Sequence, residues 1–147
     1  MFKCIFFFSI LIDNNYMDVK DFINQKYKYA LVGASTDKNK YGYTVVNDLA
    51  QANYNIVGVN PKYNEIEGIK IYSKLEEVPG KIDVVIFVVP PGVGLPMLSI
   101  VKKIGVDKVW FQPGAESSEI VEACKKLRLD VVADGSCIMI ARRSLSL

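Results

Sequence analysis

The sequence contains no histidine, and this absence removes several kinds of catalysis at once. Serine–histidine triads, imidazole general bases, phosphohistidine intermediates and histidine metal sites all need that side chain. Cysteine is also scarce, because Cys4, Cys124 and Cys137 are the three in the chain and none lies in a CxxC spacing. An odd number of widely separated cysteines predicts neither a disulfide framework nor a zinc site. We therefore expect no metal, no catalytic residue of these kinds and a reducing, cytoplasmic setting.

The chain also lacks a concentration of charge of one sign. Its 18 lysines and arginines and 16 acidic residues are scattered, which gives a net charge of +2. Without a basic run or a recognisable nucleic-acid motif, we expect no nucleic-acid partner. With 147 residues, of which 50% are hydrophobic and 23% charged, the chain has the size and composition of one ordinary globular domain with no membrane partner.

The amino-terminal segment is apolar but short. In MFKCIFFFSILIDNNY, Lys3 precedes an apolar run from Cys4 to Ile12, well short of the ~20 residues that span a bilayer. No small-residue cleavage site follows, so a dispensable extension is favoured over an export signal. Met17 begins MDVKDF, a plausible natural start. We expect residues 1–16 to be an extension and residues 17–147 to form the domain.

Apolar runs and helix-like segments alternate along the rest of the chain. The predicted strands are Tyr27–Val32, Asn55–Val59, Ile69–Tyr72 at a sheet edge, Ile82–Val89, Lys108–Phe111, Asp130–Ala133 and Cys137–Ile140. The predicted helices are Val19–Gln25, Thr44–Ala52, Leu95–Ile104 and Ser118–Leu127, with a further turn capped by Ser73 and Glu76. The run IDVVIFVV is typical of a central parallel strand buried on both faces. This alternation predicts a single doubly wound α/β domain with a mostly parallel sheet.

Four predicted strands end in loops of glycine, proline and small polar residues. These loops are Gly33-Ala34-Ser35-Thr36, Asn60-Pro61-Lys62, Val89-Pro90-Pro91-Gly92 and Gln112-Pro113-Gly114. One such loop is ordinary turn chemistry. Ligands of open α/β sheets, however, bind beyond the carboxyl ends of the strands. Four such loops on one edge of the sheet therefore predict a ligand groove.

The first loop departs from the GxGxxG spacing of dinucleotide-binding folds, because ASTDKNKYG separates Gly33 from the helix. The helix amino terminus still offers backbone N–H groups to a phosphate, with Ser35, Thr36 and either Lys38 or Lys40 nearby. A solvated turn with its lysines in water explains this loop equally well.

The second loop discriminates better between ligands. An NAD-binding domain usually has an acidic residue after the second strand, where it holds the ribose hydroxyls. Here the sequence has Asn60-Pro61-Lys62, and a lysine suits a phosphorylated ribose, as in NADP or the 3′-phosphate of coenzyme A. A CoA-binding module, an NADP- or NAD-binding oxidoreductase-like or sensor domain, and an interaction protein with a vestigial groove all remain open at this point.

An ordered set of motifs then carries a resemblance over most of the chain, about Phe22 to Met139. The motifs are VGAS with a later YG, GVNPKY, EIEGIKIYSKLEEVP, IDVVIFVVPP, VWFQPGAES and GSCIM. Together they resemble the small stand-alone CoA-binding proteins, which have a Rossmann-like fold and are similar to the CoA-binding domain of the succinyl-CoA synthetase α subunit. The resemblance implies that coenzyme A or an acyl-CoA is the ligand. Because the synthetases act through a phosphohistidine on a further domain, and this chain has no histidine, it implies binding without catalysis.

The resemblance also implies a set of contact residues. Gly33, Ala34, Ser35, Thr36 and Lys40 would contact the CoA phosphates, Asn60, Pro61 and Lys62 the nucleotide portion, Val89 and Pro90 the neighbouring wall, and Gln112, Pro113 and Gly114 the pantetheine. Trp110 and Phe111 are expected to pack the sheet. Cys137 is expected to be a buried small hydrophobe, although a thiol near the pantetheine end can form a mixed disulfide with CoA. A homo-oligomer or an unknown protein partner stays open.

Overall fold

Seven strands form one sheet in the computed structural model, which describes residues 18–145. They are β1 (Lys28–Val32), β2 (Asn55–Val59), β3 (Glu65–Ile66), β4 (Ile69–Tyr72), β5 (Val84–Phe87), β6 (Lys108–Phe111) and β7 (Asp130–Val132). Their order is β3-β4-β2-β1-β5-β6-β7, and of these strands β3 alone runs antiparallel to its neighbour. Apart from β3, this is the strand order of Rossmann folds. The predicted doubly wound, mostly parallel α/β domain is confirmed, and it is Rossmann-like.

Helices cover both faces of the sheet. They are α1 (Tyr41–Gln51), α2 (Pro91–Gly94), α3 (Leu98–Lys103), α4 (Ser118–Leu127) and α5 (Ile138–Leu145), with 3-10 turns at Val19–Phe22, Leu75–Glu77 and Leu95–Met97. Buried residues of α1, α5 and the first 3-10 turn belong to one apolar cluster, and those of α3 and α4 belong to a second cluster. The sheet therefore lies between two apolar layers.

Alternate residues of each central strand enter opposite layers, because successive side chains of a strand point to opposite faces. Leu31 joins the α1 and α5 layer, whereas Val32 joins the α3 and α4 layer. In β6, Trp110 and Phe111 divide in the same way, and both are fully buried. The expectation that these two rings pack the sheet is confirmed, and burial on both faces explains why the strands are continuous apolar runs.

The sequence patterns predict four elements with their observed limits, namely β2, β4, β6 and α4. The prediction that Ile69–Tyr72 is an edge strand is wrong, because β4 pairs with β2 on one side and with the two-residue β3 on the other. The predicted cap at Ser73 and Glu76 is also wrong. Lys74 precedes the 3-10 turn without a side-chain cap, and the Ser73 hydroxyl donates instead to the Glu77 carboxylate at 2.8 Å.

The predicted strand Cys137–Ile140 is wrong, because Ile138 begins helix α5. Four apolar residues are too few to separate a strand from a helix by their periodicity. The helix buries Ile138, and Arg142 extends to α1, where its Nε donates to an Asp48 carboxylate oxygen at 2.8 Å. This ion pair joins residues that lie 94 positions apart, so no local pattern contains it.

The described residues begin with a capped 3-10 turn. Asp18 and Asp21 form a capping box around Val19–Phe22, a shorter element than the predicted helix Val19–Gln25. The predicted dispensable extension, residues 1–16, lies outside the described residues and stays a prediction. Within residues 18–145, no helix is both long enough and apolar enough to cross a membrane.

Candidate functional site

The candidate site lies at the carboxyl ends of the parallel strands. The chain leaves β1 towards α1 on one face and leaves β5 towards α3 on the other, and β1 and β5 are neighbours in the sheet. A crevice opens where adjacent connections diverge in this way. The loops after β1, β2, β5 and β6, which the sequence predicts as one rim, all follow strand ends on this edge.

Three adjoining clefts occupy this edge, and Tyr41 contributes to the wall of each. The lysine cleft has a volume of ≈ 370 Å³ and is further lined by Gly33, Ser35, Lys40, Gly42, Asn60, Lys62, Tyr63, Val88, Val89 and Pro90. The proline cleft has a volume of ≈ 570 Å³ and is further lined by Val88, Val89, Pro90, Pro91, Pro113, Gly114 and Ala115. The cysteine cleft has a volume of ≈ 680 Å³ and is further lined by Pro113, Gly135, Ser136, Cys137, Met139, Ile140, Ala141 and Arg143. Neighbouring clefts share wall residues, so they adjoin along this edge from the end of β2 to the start of α5, and we call the three together the groove.

Two glycines bring the first loop and helix α1 into close contact. A Cβ added at Gly42 would overlap the carbonyl oxygen of Gly33 and lie 3.0 Å from its carbonyl carbon. Gly33 itself has φ +102°, and a Cβ there would overlap the Val88 carbonyl oxygen. These positions need glycine both for space and, at Gly33, for its backbone conformation. The amino end of α1 therefore lies directly against the end of β1.

The lysine cleft is suited to an anion. Lys40 is the N-cap residue of α1, and no side chain in the described range caps that helix end. Backbone N–H groups in the first turn and the positive end of the helix dipole attract phosphate. Lys62 lines the same cleft and is exposed. Two ammonium groups and an uncapped helix end thus face one cleft of the groove.

Asn60 ties the two sides of the lysine cleft together. Its side-chain Nδ2 donates to the carbonyl oxygen of Ala34 at 2.8 Å, and its Oδ1 accepts from the backbone N–H of Lys62 at 2.9 Å. The loop after β2 is therefore fastened to the loop after β1. This bracing fixes the backbone that carries Lys62 while leaving its side chain exposed.

The structure brings nine of the thirteen predicted contact residues to the walls of the groove. They are Gly33, Ser35, Lys40, Asn60, Lys62, Val89, Pro90, Pro113 and Gly114. The other four do not line the three clefts: Ala34 and Gln112 are fully buried, whereas Thr36 and Pro61 are exposed beside them. Ala34 packs under the loop, where its Cβ lies against Gly58 of β2.

Gln112 supports the groove from behind. Its Oε1 accepts from the backbone N–H of Ile138 at 2.8 Å, and its Nε2 donates to the Tyr41 hydroxyl at 3.2 Å and to the Cys137 sulfur at 3.5 Å. The Tyr41 hydroxyl is in turn hydrogen-bonded to Cys137 Sγ at 3.1 Å. These three side chains connect α1, the end of β6 and the start of α5.

The expectation that Cys137 is a buried small hydrophobe is wrong, because its thiol is partly exposed and hydrogen-bonded. Burial opposes ionisation, but hydrogen bonds from Tyr41, from Gln112 and from two backbone N–H groups in the first turn of α5 outweigh it and lower the pKa of the Cys137 thiol. Burial raises the pKa of the Tyr41 hydroxyl to about 12, and its bond to Cys137 adds to that effect. By contrast, burial alone raises the pKa of the Cys124 thiol to about 12.

Sequence reasoning missed the residues that join the clefts. Tyr41 and Gly42 stand four and three residues before Val45, the first apolar residue of the predicted helical stripe, so that pattern places them in the loop. Cys137 was expected as a buried hydrophobe in a strand, Cys137–Ile140, and Ser136 was not singled out. A glycine beside a helix start was the available signal, since it marks a close approach of two backbones. Among residues 18–145, no cluster of His, Cys, Asp and Glu has the arrangement of a metal site.

Comparison with solved structures shows the same architecture in proteins of similar size. A conserved hypothetical protein from Pyrococcus furiosus is 44% identical with a TM-score of 0.75, over 78% of this chain and 98% of that one. A hypothetical protein from Pyrococcus horikoshii is 31% identical with a TM-score of 0.80, over 89% of this chain and 94% of that one.

A longer enzyme contains a related segment. An ADP-forming acetate–CoA ligase from Methanocaldococcus jannaschii is 39% identical over 69 residues, which are 47% of this chain and 10% of the ligase. The match thus covers a small part of that enzyme. Residues 27–143 match the family described as CoA binding domain. This match covers most of the chain and agrees with the fold and the rim of loops. The chain therefore belongs to the CoA-binding domain family.

Proposed function

We propose that this protein binds coenzyme A or an acyl-CoA along the groove formed by the three clefts, and that binding rather than chemical turnover is its function. The observation that carries the proposal is the change in chemistry from one cleft of the groove to the next. The lysine cleft has two ammonium groups and a helix amino end, whereas the proline cleft is walled by valine and proline. CoA changes in the same order, from a phosphorylated nucleotide to an uncharged pantetheine arm.

In this orientation the CoA phosphates lie at the amino end of α1. Lys40 and Lys62 neutralise them, and Gly33 allows the ligand to approach the backbone. The pantetheine crosses Val89 and Pro90, and its sulfur end reaches Tyr41. Membership of the CoA-binding domain family supports this ligand over a dinucleotide.

The sequence supports a binding role without catalysis. With no histidine in the chain, neither a phosphohistidine nor an imidazole base is available. Ser35, which lines the lysine cleft, accepts a hydrogen bond from the backbone N–H of Asp37 at 3.0 Å. That bond is typical of a turn-forming serine, not of a nucleophile with an adjacent base.

Calorimetric titration of the full chain with CoA, dephospho-CoA, NAD and NADP tests the proposal. CoA should bind, dephospho-CoA should bind more weakly, and NAD should not bind, because no carboxylate follows β2 to hold the ribose hydroxyls. Tighter binding of NAD than of CoA would contradict the proposal and favour the oxidoreductase-like alternative.

A charge-reversal pair localises the phosphate end. Lys62→Glu should weaken CoA binding by ~1.5–3 kcal/mol, about 10- to 150-fold, because it removes a charge-assisted bond and introduces a like charge. Lys81→Glu is the matched control, since Lys81 is exposed in the loop before β5, at the amino edge of the sheet. Equal CoA affinities for the two variants would show that Lys62 does not contact the ligand.

A further inference from the structure

The cysteine cleft extends the groove beyond the proposed position of the CoA sulfur. It shares the wall residues Tyr41 and Pro113 with the proline cleft, so the two clefts adjoin. Its volume of ≈ 680 Å³ lies within the range of small-molecule sites. In the proposed orientation the other two clefts hold the phosphates and the pantetheine of CoA. The space past the sulfur is therefore left for another chemical group.

One part of the wall of the cysteine cleft is apolar and exposed to solvent. Met139, Ile140 and Ala141 line it, and Ile140 is 65% exposed. In the described part of the chain four large hydrophobic side chains are exposed, and two of them, Tyr41 and Ile140, belong to this cleft. Exposed apolar side chains that gather at one cleft indicate a ligand that covers them.

Polar groups stand at the entrance to the cysteine cleft. The Tyr41 hydroxyl and Cys137 Sγ lie 3.1 Å apart, at the boundary with the proline cleft. The Tyr41 hydroxyl donates to Cys137, which leaves the Cys137 S–H as a weak donor to a thioester carbonyl at this boundary, with the hydrocarbon chain of the thioester beyond it. Arg143 also lines the cleft, but its guanidinium donates to Asp48 at 2.7 Å. The preference for an apolar acyl group therefore rests on Met139, Ile140 and Ala141 and not on this arginine.

We propose that the cysteine cleft is an acyl subsite, and that the preferred ligand is a CoA thioester with an apolar acyl chain rather than free CoA. The inference rests on the proposed function, because it requires CoA in the groove. It adds the class of ligand and the residues that select it, Met139, Ile140 and Ala141.

Calorimetric titration of the full chain with CoA, acetyl-CoA, butyryl-CoA and hexanoyl-CoA tests the subsite. Each buried methylene should tighten binding about fourfold, so butyryl-CoA should bind at least tenfold more tightly than acetyl-CoA. If CoA binds and every thioester binds equally or more weakly, the acyl subsite is refuted and the proposed function stands. If none of the four ligands binds, both proposals are refuted.

Two substitutions on one helix locate the selectivity. Ile140→Asn should reduce the ratio of butyryl-CoA to acetyl-CoA affinity towards one, because it places an amide where the chain is proposed to lie. Leu145→Asn is the matched control, since Leu145 is 47% exposed on the same helix and does not line the cleft. Melting temperatures report whether each variant is folded, and Ile140→Ala serves as a second variant at the tested position. A wild-type ratio in folded Ile140→Asn or Ile140→Ala would refute the assignment.

Discussion

Replacement of Gly42 by alanine should destabilise the protein, although alanine is the better helix former. An added Cβ would overlap the carbonyl oxygen of Gly33, a backbone atom that has no rotamer by which to move away. Overpacking of this kind costs ~1–3 kcal/mol, and the gain in helix propensity returns at most ~1 kcal/mol. We expect a net loss of up to about 2 kcal/mol, which lowers the melting temperature by up to roughly 8 °C for a domain of this size.

Gly92→Ala is the matched control for this prediction. Gly92 is also the second residue of a helix at the same edge of the sheet, yet no atom lies within 4 Å of a Cβ built there. This variant should be unchanged or stabilised by up to ~1 kcal/mol. Denaturant unfolding of both variants, with CoA titration of the folded proteins, measures the effect. A Gly42→Ala protein as stable as Gly92→Ala would refute the argument that α1 lies against the first loop.

Two further predictions concern the contacts that hold α5 in place and those that activate the Cys137 thiol directly before it. Asp48→Asn should lose ~1.5–3 kcal/mol of stability, because the Asp48 carboxylate accepts hydrogen bonds from Arg142. Burial alone would raise the pKa of Asp48, but its arginine partners lower it below its usual value, so the difference from wild type should persist above about pH 4 and shrink as the pH falls further. Tyr41→Phe should slow alkylation of Cys137 at neutral pH and move its pH profile upward, because a bond that stabilises the thiolate is lost. Peptide mapping after iodoacetamide treatment measures this rate, and an unchanged profile would show that the hydroxyl has no such role.

Much of the groove could be predicted from the sequence because strand ends are local features. An apolar run that stops at glycine or proline predicts both the end of a strand and the rim on which its loop lies. Gly33, Lys62, Pro90 and Pro113 were all found in this way, and all line the groove. To place these loops on one rim it was enough to expect parallel strands. No contact between particular residues had to be predicted.

The direction of a side chain within that rim could not be predicted. Gln112 follows β6 as a polar loop residue, which favours exposure, yet it is fully buried. The reason is that its side-chain amide forms hydrogen bonds with Tyr41 in α1 and with Cys137 and Ile138 at the start of α5. Those partners lie 25, 26 and 71 positions away in the chain, so only the packed fold brings them to one place.

The sequence by itself determined the alternation of strands and helices, since apolar periodicity reflects burial on a face of each element. It also determined that histidine chemistry is unavailable to this protein. Only the tertiary structure decided that a helix starts directly after Cys137 and that the Cys137 thiol meets the Tyr41 hydroxyl from 96 positions away. The physical reason is that a four-residue apolar run has no strong local preference for strand or helix. Its conformation is set by the hydrogen bonds and packing that are available where the chain returns to the edge of the sheet.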